Sequence, residues 1–123
     1  MTRKVAVVDD NSVARTWIRS VLSGAGFEVV EYARSFGIQA FIRQTRPSVL
    51  ILDVNMPALS GNVICSLLKE NADTREVLII LYSAAAADTL QELAASCKAD
   101  GWLRKSNDPN ELVSKVKSIS LLR

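Results

Sequence analysis

Three aspartates follow strand-like segments of the chain. Asp9 and Asp10 come directly after the segment 4–8, and Asp53 comes directly after the apolar run 49–52. A carboxylate at the end of a buried strand is costly to ionise unless a neighbouring cation or a proton stabilises it. Oxygen ligands without histidine or cysteine suit a hard divalent ion, so these residues indicate a site for Mg²⁺ or a similar metal.

Two more side chains that could act on a phosphate follow strand-like segments. Ser83 comes after the run 77–82, and Lys105 comes after the segment 101–104. A hydroxyl can donate a hydrogen bond to an oxyanion, and an ammonium can balance charge that develops on a phosphoryl group. Together with the carboxylates, these residues favour phosphoryl transfer, in which positioning and charge neutralisation carry most of the catalysis.

Short apolar runs alternate with helix-like segments along the whole chain and predict five βα units. The predicted strands are 4–8, 27–33, 49–52, 77–82 and 101–104, and the predicted helices are 12–22, 35–45, 60–71, 88–97 and 109–121. This alternation predicts an α/β fold, a doubly wound parallel sheet of five strands with helices on both faces. The order 2-1-3-4-5, common for five strands, places ligands between strands one and three, where the order reverses. The three aspartates are expected to meet there.

The apolar spacing of two helices predicts which residues face the core. These residues are Val13, Trp17, Ile18, Val21 and Leu22 in the first helix, and Val63, Ile64, Leu67 and Leu68 in the third. The chain's two cysteines, Cys65 and Cys97, lie in separate helix-like segments and are expected to be small core residues of a reduced, cytosolic protein.

Composition excludes several classes of function. The 123 residues are 49% hydrophobic and 23% charged with a net charge of +2, which predicts one globular domain spanning 1–123. No basic stripe, apolar leader or membrane-spanning run is present in the sequence, so we expect no DNA binding by this domain, no membrane association and a cytoplasmic location. The chain contains no histidine, which excludes Ser-His-Asp and Cys-His catalysis as well as histidine metal ligands.

Motifs spread over the whole chain resemble the receiver domain of bacterial two-component response regulators. They are VVDD at 7–10, LDVNMP at 52–57, Gly61, YSA at 82–84 and Lys105. The resemblance implies a flavodoxin-like receiver fold and a signalling function. In that function Asp53 is the phosphoacceptor, taking a phosphoryl group from a sensor histidine kinase or a phosphotransfer protein in a phosphorelay.

The resemblance also implies the ligands of Mg²⁺, the expected cofactor. Asp10 and Asp53 would bind the ion directly, Asp9 would act through a water molecule, and Asn55 would contribute its backbone carbonyl.

Four further residues take roles in the switch by resemblance. Ser83 would bond a phosphoryl oxygen, and Lys105 would pair with Asp53 and later with the acyl phosphate. Ala84 is a small residue that would leave the site open. Trp102 occupies the position of the aromatic switch, where the family usually has Tyr or Phe. Ser106 also departs from the family, which usually has proline there.

We expect a stand-alone receiver that signals by docking an output protein through helix four, strand five and helix five, roughly 88–121. It would not be an enzyme beyond its own phosphorylation and autodephosphorylation. Two alternatives stay open, namely a receiver-like scaffold that binds partners without phosphorylation and a receiver domain excised from a longer response regulator. A phosphatase of the haloacid dehalogenase type is disfavoured because Asn55 stands where such enzymes have an aspartate. A nucleotide binder is disfavoured because two anions, not a glycine-rich loop, follow the first strand.

Overall fold

The computed structural model describes residues 3–122, in which five strands alternate with five helices. The strands are β1 (Lys4–Val8), β2 (Glu28–Tyr32), β3 (Val49–Asp53), β4 (Leu78–Ser83) and β5 (Gly101–Arg104). The helices are α1 (Ser12–Gly24), α2 (Ile38–Thr45), α3 (Gly61–Glu70), α4 (Ala87–Cys97) and α5 (Pro109–Ser120). Residues 1, 2 and 123 of the predicted domain lie outside the described part of the chain.

The strands form one parallel sheet in the order β2-β1-β3-β4-β5, which confirms the predicted fold. Every residue of β3 and β4 is buried, because helices cover both faces of the central strands. The register pairs Val8 with Leu52 and Asp53 with Tyr82. The carboxyl ends of β1, β3 and β4 therefore lie at one edge of the sheet, where the predicted site residues follow.

Alternating strand residues divide the core into two apolar layers. Val5 and Val7 face one layer, whose helical side comes from α1 and α5, whereas Ala6 and Val8 face the layer covered by α2, α3 and α4. This two-sided burial explains why the strands are continuously apolar instead of alternating with polar residues.

Three residues predicted to face the core are exposed instead. Val13 is 78% exposed, and Val63 and Leu67 are 42% and 43% exposed. In α3 the buried side chains are Ile64, Cys65 and Leu68, so the predicted apolar face, which also included Val63 and Leu67, is too wide. Val13 belongs to the first turn of α1, which lies near the carboxyl ends of the strands, where the predicted site residues follow.

The second helix begins at Ile38, three residues later than predicted, because the residues before it form a connection that contacts the loop after β3. The Ser35 hydroxyl donates to the carbonyl groups of Pro57 and Leu59 at 2.8 and 3.0 Å. Gly37 precedes the helix with a φ of 83°, a left-handed conformation that glycine adopts readily. The segment 35–37 is thus a connection, and its Ser35 hydroxyl holds the loop after β3 through these hydrogen bonds.

Two further findings concern the whole described chain. None of the helices within residues 3–122 combines the length and the apolar character needed to cross a bilayer. All peptide bonds in this part of the chain are trans, including the bond between Lys105 and Ser106.

Candidate functional site

Asp9, Asp10 and Asp53 converge at the carboxyl edge of the sheet. One carboxylate oxygen from each residue lies within 4.8 Å of the other two. Asp9 and Asp53 are only 1% and 3% exposed, whereas Asp10 is open to solvent. The sheet produces this cluster because β1 and β3 are adjacent and end at the same level.

The cluster fits a hard divalent cation. Its donor atoms are all carboxylate oxygens, the ligand type that Mg²⁺ prefers. Among the buried side-chain atoms of the described residues, Asp9 Oδ2 is the one that lacks a hydrogen-bond partner. A buried acceptor without a partner is rare in proteins and calls for a bound water or ion. The three carboxylates, including this Asp9 oxygen, thus form a cluster that fits a cation, with one buried and one solvent-facing side.

Lys105 is the ammonium closest to the buried carboxylates. Its Nζ lies 3.3 Å from Asp53 Oδ1 and 3.6 Å from Asp9 Oδ2. The same Nζ lies 5.5 Å from the centre of the Tyr82 ring. One ammonium cannot balance three carboxylates, so the cluster has excess negative charge that a metal ion would neutralise.

The Asp53 carboxyl is harder to ionise than a free aspartate. Burial is the main cause that raises its pKa above the ordinary value, and the negative charge of Asp9 raises it further. The Lys105 ammonium and the Asn55 N–H, which donates to Oδ1 at 3.2 Å, act in the opposite direction but do not compensate fully. Folding therefore opposes the negative charge that a nucleophile at this position requires.

This raised pKa predicts how stability depends on pH. Replacing Asp53 with Asn should raise the melting temperature of the metal-free protein, and the gain should grow as the pH rises above the ordinary aspartate pKa of about 4. The reason is that above this pH folded Asp53 binds more protons than unfolded Asp53. Its contribution to stability is complete below the unfolded pKa and is lost as the pH rises through the folded pKa. Calorimetric melting in EDTA, with Asp73→Asn as a surface control, measures the difference; a gain independent of pH would contradict the prediction.

Ser83 ends β4 at the same edge of the sheet and is fully buried. Its Oγ accepts a hydrogen bond from the Ala85 N–H at 3.1 Å, so the hydroxyl proton can still be donated. Its backbone carbonyl accepts from the Lys105 N–H at 2.8 Å, which brings the chain of Lys105 alongside β4. Ala84 follows as an exposed residue and places no large side chain at the rim.

Arg104 holds the loop that follows Ser83, a role that the sequence did not reveal. Its Nε donates to the Ala85 carbonyl at 3.0 Å. In the sequence Arg104 is only a charge on an edge strand, and nothing in the local pattern predicts a contact with a residue 19 positions away.

Two more supporting residues were missed for the same reason. Arg15 donates to the Asp9 carbonyl at 2.7 Å while its guanidinium pairs with Glu31 at 3.4 Å. Ser35 clamps the loop after Asp53 through the two carbonyl groups described above. Both contacts join segments that are distant in sequence or depend on side-chain direction, and no motif carries that information.

Trp102 lies in the core and not among the charged groups. It pairs with Leu81 in the sheet, and its half-buried side chain packs against the apolar layer that α4 covers. Ala85, from the loop held by Ser83 and Arg104, packs against the same layer.

Gly61 allows the loop after β3 to fold back against the strand. A Cβ at this position would collide with the Asp53 carbonyl oxygen and would lie 2.9 Å from the Val54 Cα. We expect Gly61→Ala to destabilise the protein by about 1–3 kcal/mol, because backbone atoms cannot move away cheaply. Urea unfolding checks this prediction. Gly24→Ala is the matched control, since nothing lies within 4 Å of a Cβ added there, and an equal loss in both variants would contradict the explanation.

Known proteins resemble this chain over nearly its full length. The family model of the response regulator receiver domain matches residues 5–117. The phosphate regulon transcriptional regulatory protein PhoB of Rhizobium meliloti is 29% identical over 97% of this chain and 52% of its own length. The chain thus spans about half of that relative.

Two other proteins match this chain over most of their own length. Protein PilG of Pseudomonas aeruginosa is 29% identical over 94% of this chain and 85% of its own length. The structure of the chemotaxis response regulator CheY4 of Vibrio cholerae superimposes with a TM-score of 0.88 at 25% identity, covering 97% of this chain and 99% of that one. With the strand order, the acidic cluster and the family match over residues 5–117, the chain belongs to the family of response regulator receiver domains.

Proposed function

We propose that the chain is a phosphorylation-dependent switch that accepts a phosphoryl group on Asp53. The donor would be a phosphohistidine on a sensor histidine kinase or a phosphotransfer protein. One observation supports this most strongly, namely that the buried Asp53 carboxylate is contacted by Lys105 Nζ at 3.3 Å beside two further aspartates. Membership of the receiver family supports the same assignment.

In the proposed reaction an Asp53 carboxylate oxygen attacks phosphorus as the bond from phosphorus to the histidine nitrogen breaks. The Lys105 ammonium then balances the charge on the phosphoryl oxygens, and the Ser83 hydroxyl donates to one of them. Asp10, Asp53 and the Asn55 carbonyl would hold Mg²⁺, with Asp9 acting through a water molecule. When bound, the ion supplies charge neutralisation and orients the phosphoryl oxygens.

Signal output would follow from the bond between Ser83 and the phosphoryl group. Donating to the phosphoryl oxygen draws Ser83 inwards, together with the loop that it anchors through Ala85. Because Ala85 and Trp102 pack against the same apolar layer, movement of this loop would change the packing of Trp102. We propose that the face formed by α4, β5 and α5 presents this change to an output protein.

The reaction is limited to the chain itself. We propose phosphoryl acceptance and autodephosphorylation, without turnover of a separate substrate and without DNA binding by this domain. The output protein could be a separate partner or a further domain of a longer response regulator. A scaffold that binds its partners without phosphorylation is the competing function.

Acetyl phosphate, a small phosphoryl donor, distinguishes the switch from the scaffold. Incubation with acetyl phosphate and Mg²⁺ should add the mass of one phosphoryl group to the intact protein, and EDTA should prevent the gain. Absence of a mass gain with acetyl phosphate and with phosphorylated histidine donors would favour the scaffold.

A further inference from the structure

The two cysteines meet across the contact between α3 and α4, away from the aspartate cluster. Cys65 lies in α3 and Cys97 ends α4, and both are free thiols buried in the same apolar layer. The Cys65 Sγ lies 3.3 Å from the Cys97 carbonyl oxygen. The chain contains two cysteines in all, and the fold brings them together from positions 32 residues apart.

A small polar cavity leads to Cys97. It has a volume of about 80 Å³ and is lined by Ser66, Lys69, Glu70, Ser96, Cys97 and Lys98. A water molecule occupies about 30 Å³ in the liquid, so the cavity can admit a molecule of the size of hydrogen peroxide. Cys97 is otherwise 3% exposed and is one of the residues that line this cavity, so a small polar oxidant in the cavity would lie beside it.

The surroundings make the two thiols unequal. The neighbouring Cys65 side chain is the main cause that lowers the pKa of Cys97, to about 7, against the opposing effect of burial. The Lys69 ammonium, paired with Asp100 at 2.7 Å, lowers it slightly further. The same thiol–thiol interaction, together with burial, raises the pKa of Cys65. Cys97 lines the cavity and Cys65 does not, so Cys97 is the thiol that an oxidant meets first and the nucleophile of the pair, reacting as its thiolate.

We propose that Cys97 and Cys65 form an oxidation site at which a hydroperoxide converts the two thiols into a disulfide joining α3 to α4. The Cys97 sulfur attacks a peroxide oxygen, the O–O bond breaks, and a sulfenic acid and water result. The Cys65 sulfur then attacks the Cys97 sulfur, the S–O bond breaks, and the departing hydroxide leaves as water with the Cys65 proton. The two thiols lose two hydrogens, and one hydrogen peroxide is reduced to two water molecules.

Such a bond would restrain the C-terminal end of α4, a helix of the proposed output face. The bond would form with a sulfur–sulfur distance of about 2.05 Å. A thiol reductant would reverse the change. The step uses no phosphoryl chemistry, so Asp53→Asn should form the disulfide at the wild-type rate, which separates this site from the proposed switch.

The test uses the reduced full chain and hydrogen peroxide. Intact mass should fall by two hydrogens, both thiols should stop reacting with a maleimide, and dithiothreitol should restore them. Cys65→Ser should instead gain one oxygen, which dimedone traps as a sulfenic acid. Cys97→Ser should react at least tenfold more slowly.

Two outcomes would overturn the proposal. One is a folded wild-type protein that keeps both thiols in peroxide while its urea-unfolded form is oxidised. The other is equal oxidation rates for Cys65→Ser and Cys97→Ser. Circular dichroism verifies that each variant is folded, and Cys→Ala variants serve in place of any serine variant that is not.

Discussion

Asp53→Asn is expected to lose phosphoryl acceptance completely while remaining folded. The amide has nearly the shape of the carboxylate but lacks the anionic oxygen that would attack phosphorus. Lys105 keeps a partner in the variant, because its Nζ also lies 3.6 Å from Asp9 Oδ2. Intact mass spectrometry after incubation with acetyl phosphate and Mg²⁺ should therefore show a phosphoryl gain for the wild type and none for the variant.

A surface aspartate provides the control for this experiment. Asp73 forms an exposed ion pair with Arg43 at 3.2 Å, so Asp73→Asn should be phosphorylated like the wild type. If Asp53→Asn still gained a phosphoryl group, the acceptor would be another carboxylate of the cluster, and peptide mapping would identify it. That result would remove Asp53 from its proposed role without changing the fold assignment.

Replacing both Asp9 and Asp10 with Asn is expected to weaken Mg²⁺ binding by about 100-fold or more, equivalent to about 2.7 kcal/mol. The change removes two of the three carboxylates whose oxygens lie within 4.8 Å of one another. Phosphorylation by acetyl phosphate should fail even though Asp53 is intact. The metal-free variant should melt at a higher temperature than the wild type, because two like charges have been removed from beside Asp53.

Calorimetric Mg²⁺ titration and thermal melting in EDTA measure the two effects separately. The single variants separate the effect on Mg²⁺ affinity from the effect on stability. Asp10 is solvent-facing and is the proposed direct ligand, whereas Asp9 is buried. We expect Asp10→Asn to cause the larger loss of affinity and Asp9→Asn the larger gain in stability. A double variant that binds Mg²⁺ as tightly as the wild type would place the metal elsewhere.

The convergence of the charged residues could be predicted from local sequence signals. Asp9, Asp53, Ser83 and Lys105 each end or directly follow a strand, and in a parallel sheet those positions share one edge. Only the order of the strands was needed to bring the side chains together. The expected order was the one common for five parallel strands, and the sheet has that order.

Errors in the apolar faces of the helices have a different origin. Val13, Val63 and Leu67 fit the helical spacing of buried residues, yet each is substantially exposed. Periodicity shows which side chains lie on one side of a helix but not how far a neighbouring element extends to cover them. The packed fold buries only the side of α3 that carries Ile64, Cys65 and Leu68.

The sequence by itself determined the α/β fold and the set of residues at the carboxyl ends of the strands, because these follow from local periodicity and from the geometry of parallel strands. The strand order was expected only because it is common for five parallel strands. Tertiary structure alone decided the supports of the site, such as Ser35 on the loop after Asp53 and Arg104 on the Ala85 carbonyl. It also decided that Cys65 and Cys97 meet. Each of these contacts joins segments far apart in the chain through a particular side-chain direction, which only the packed fold specifies.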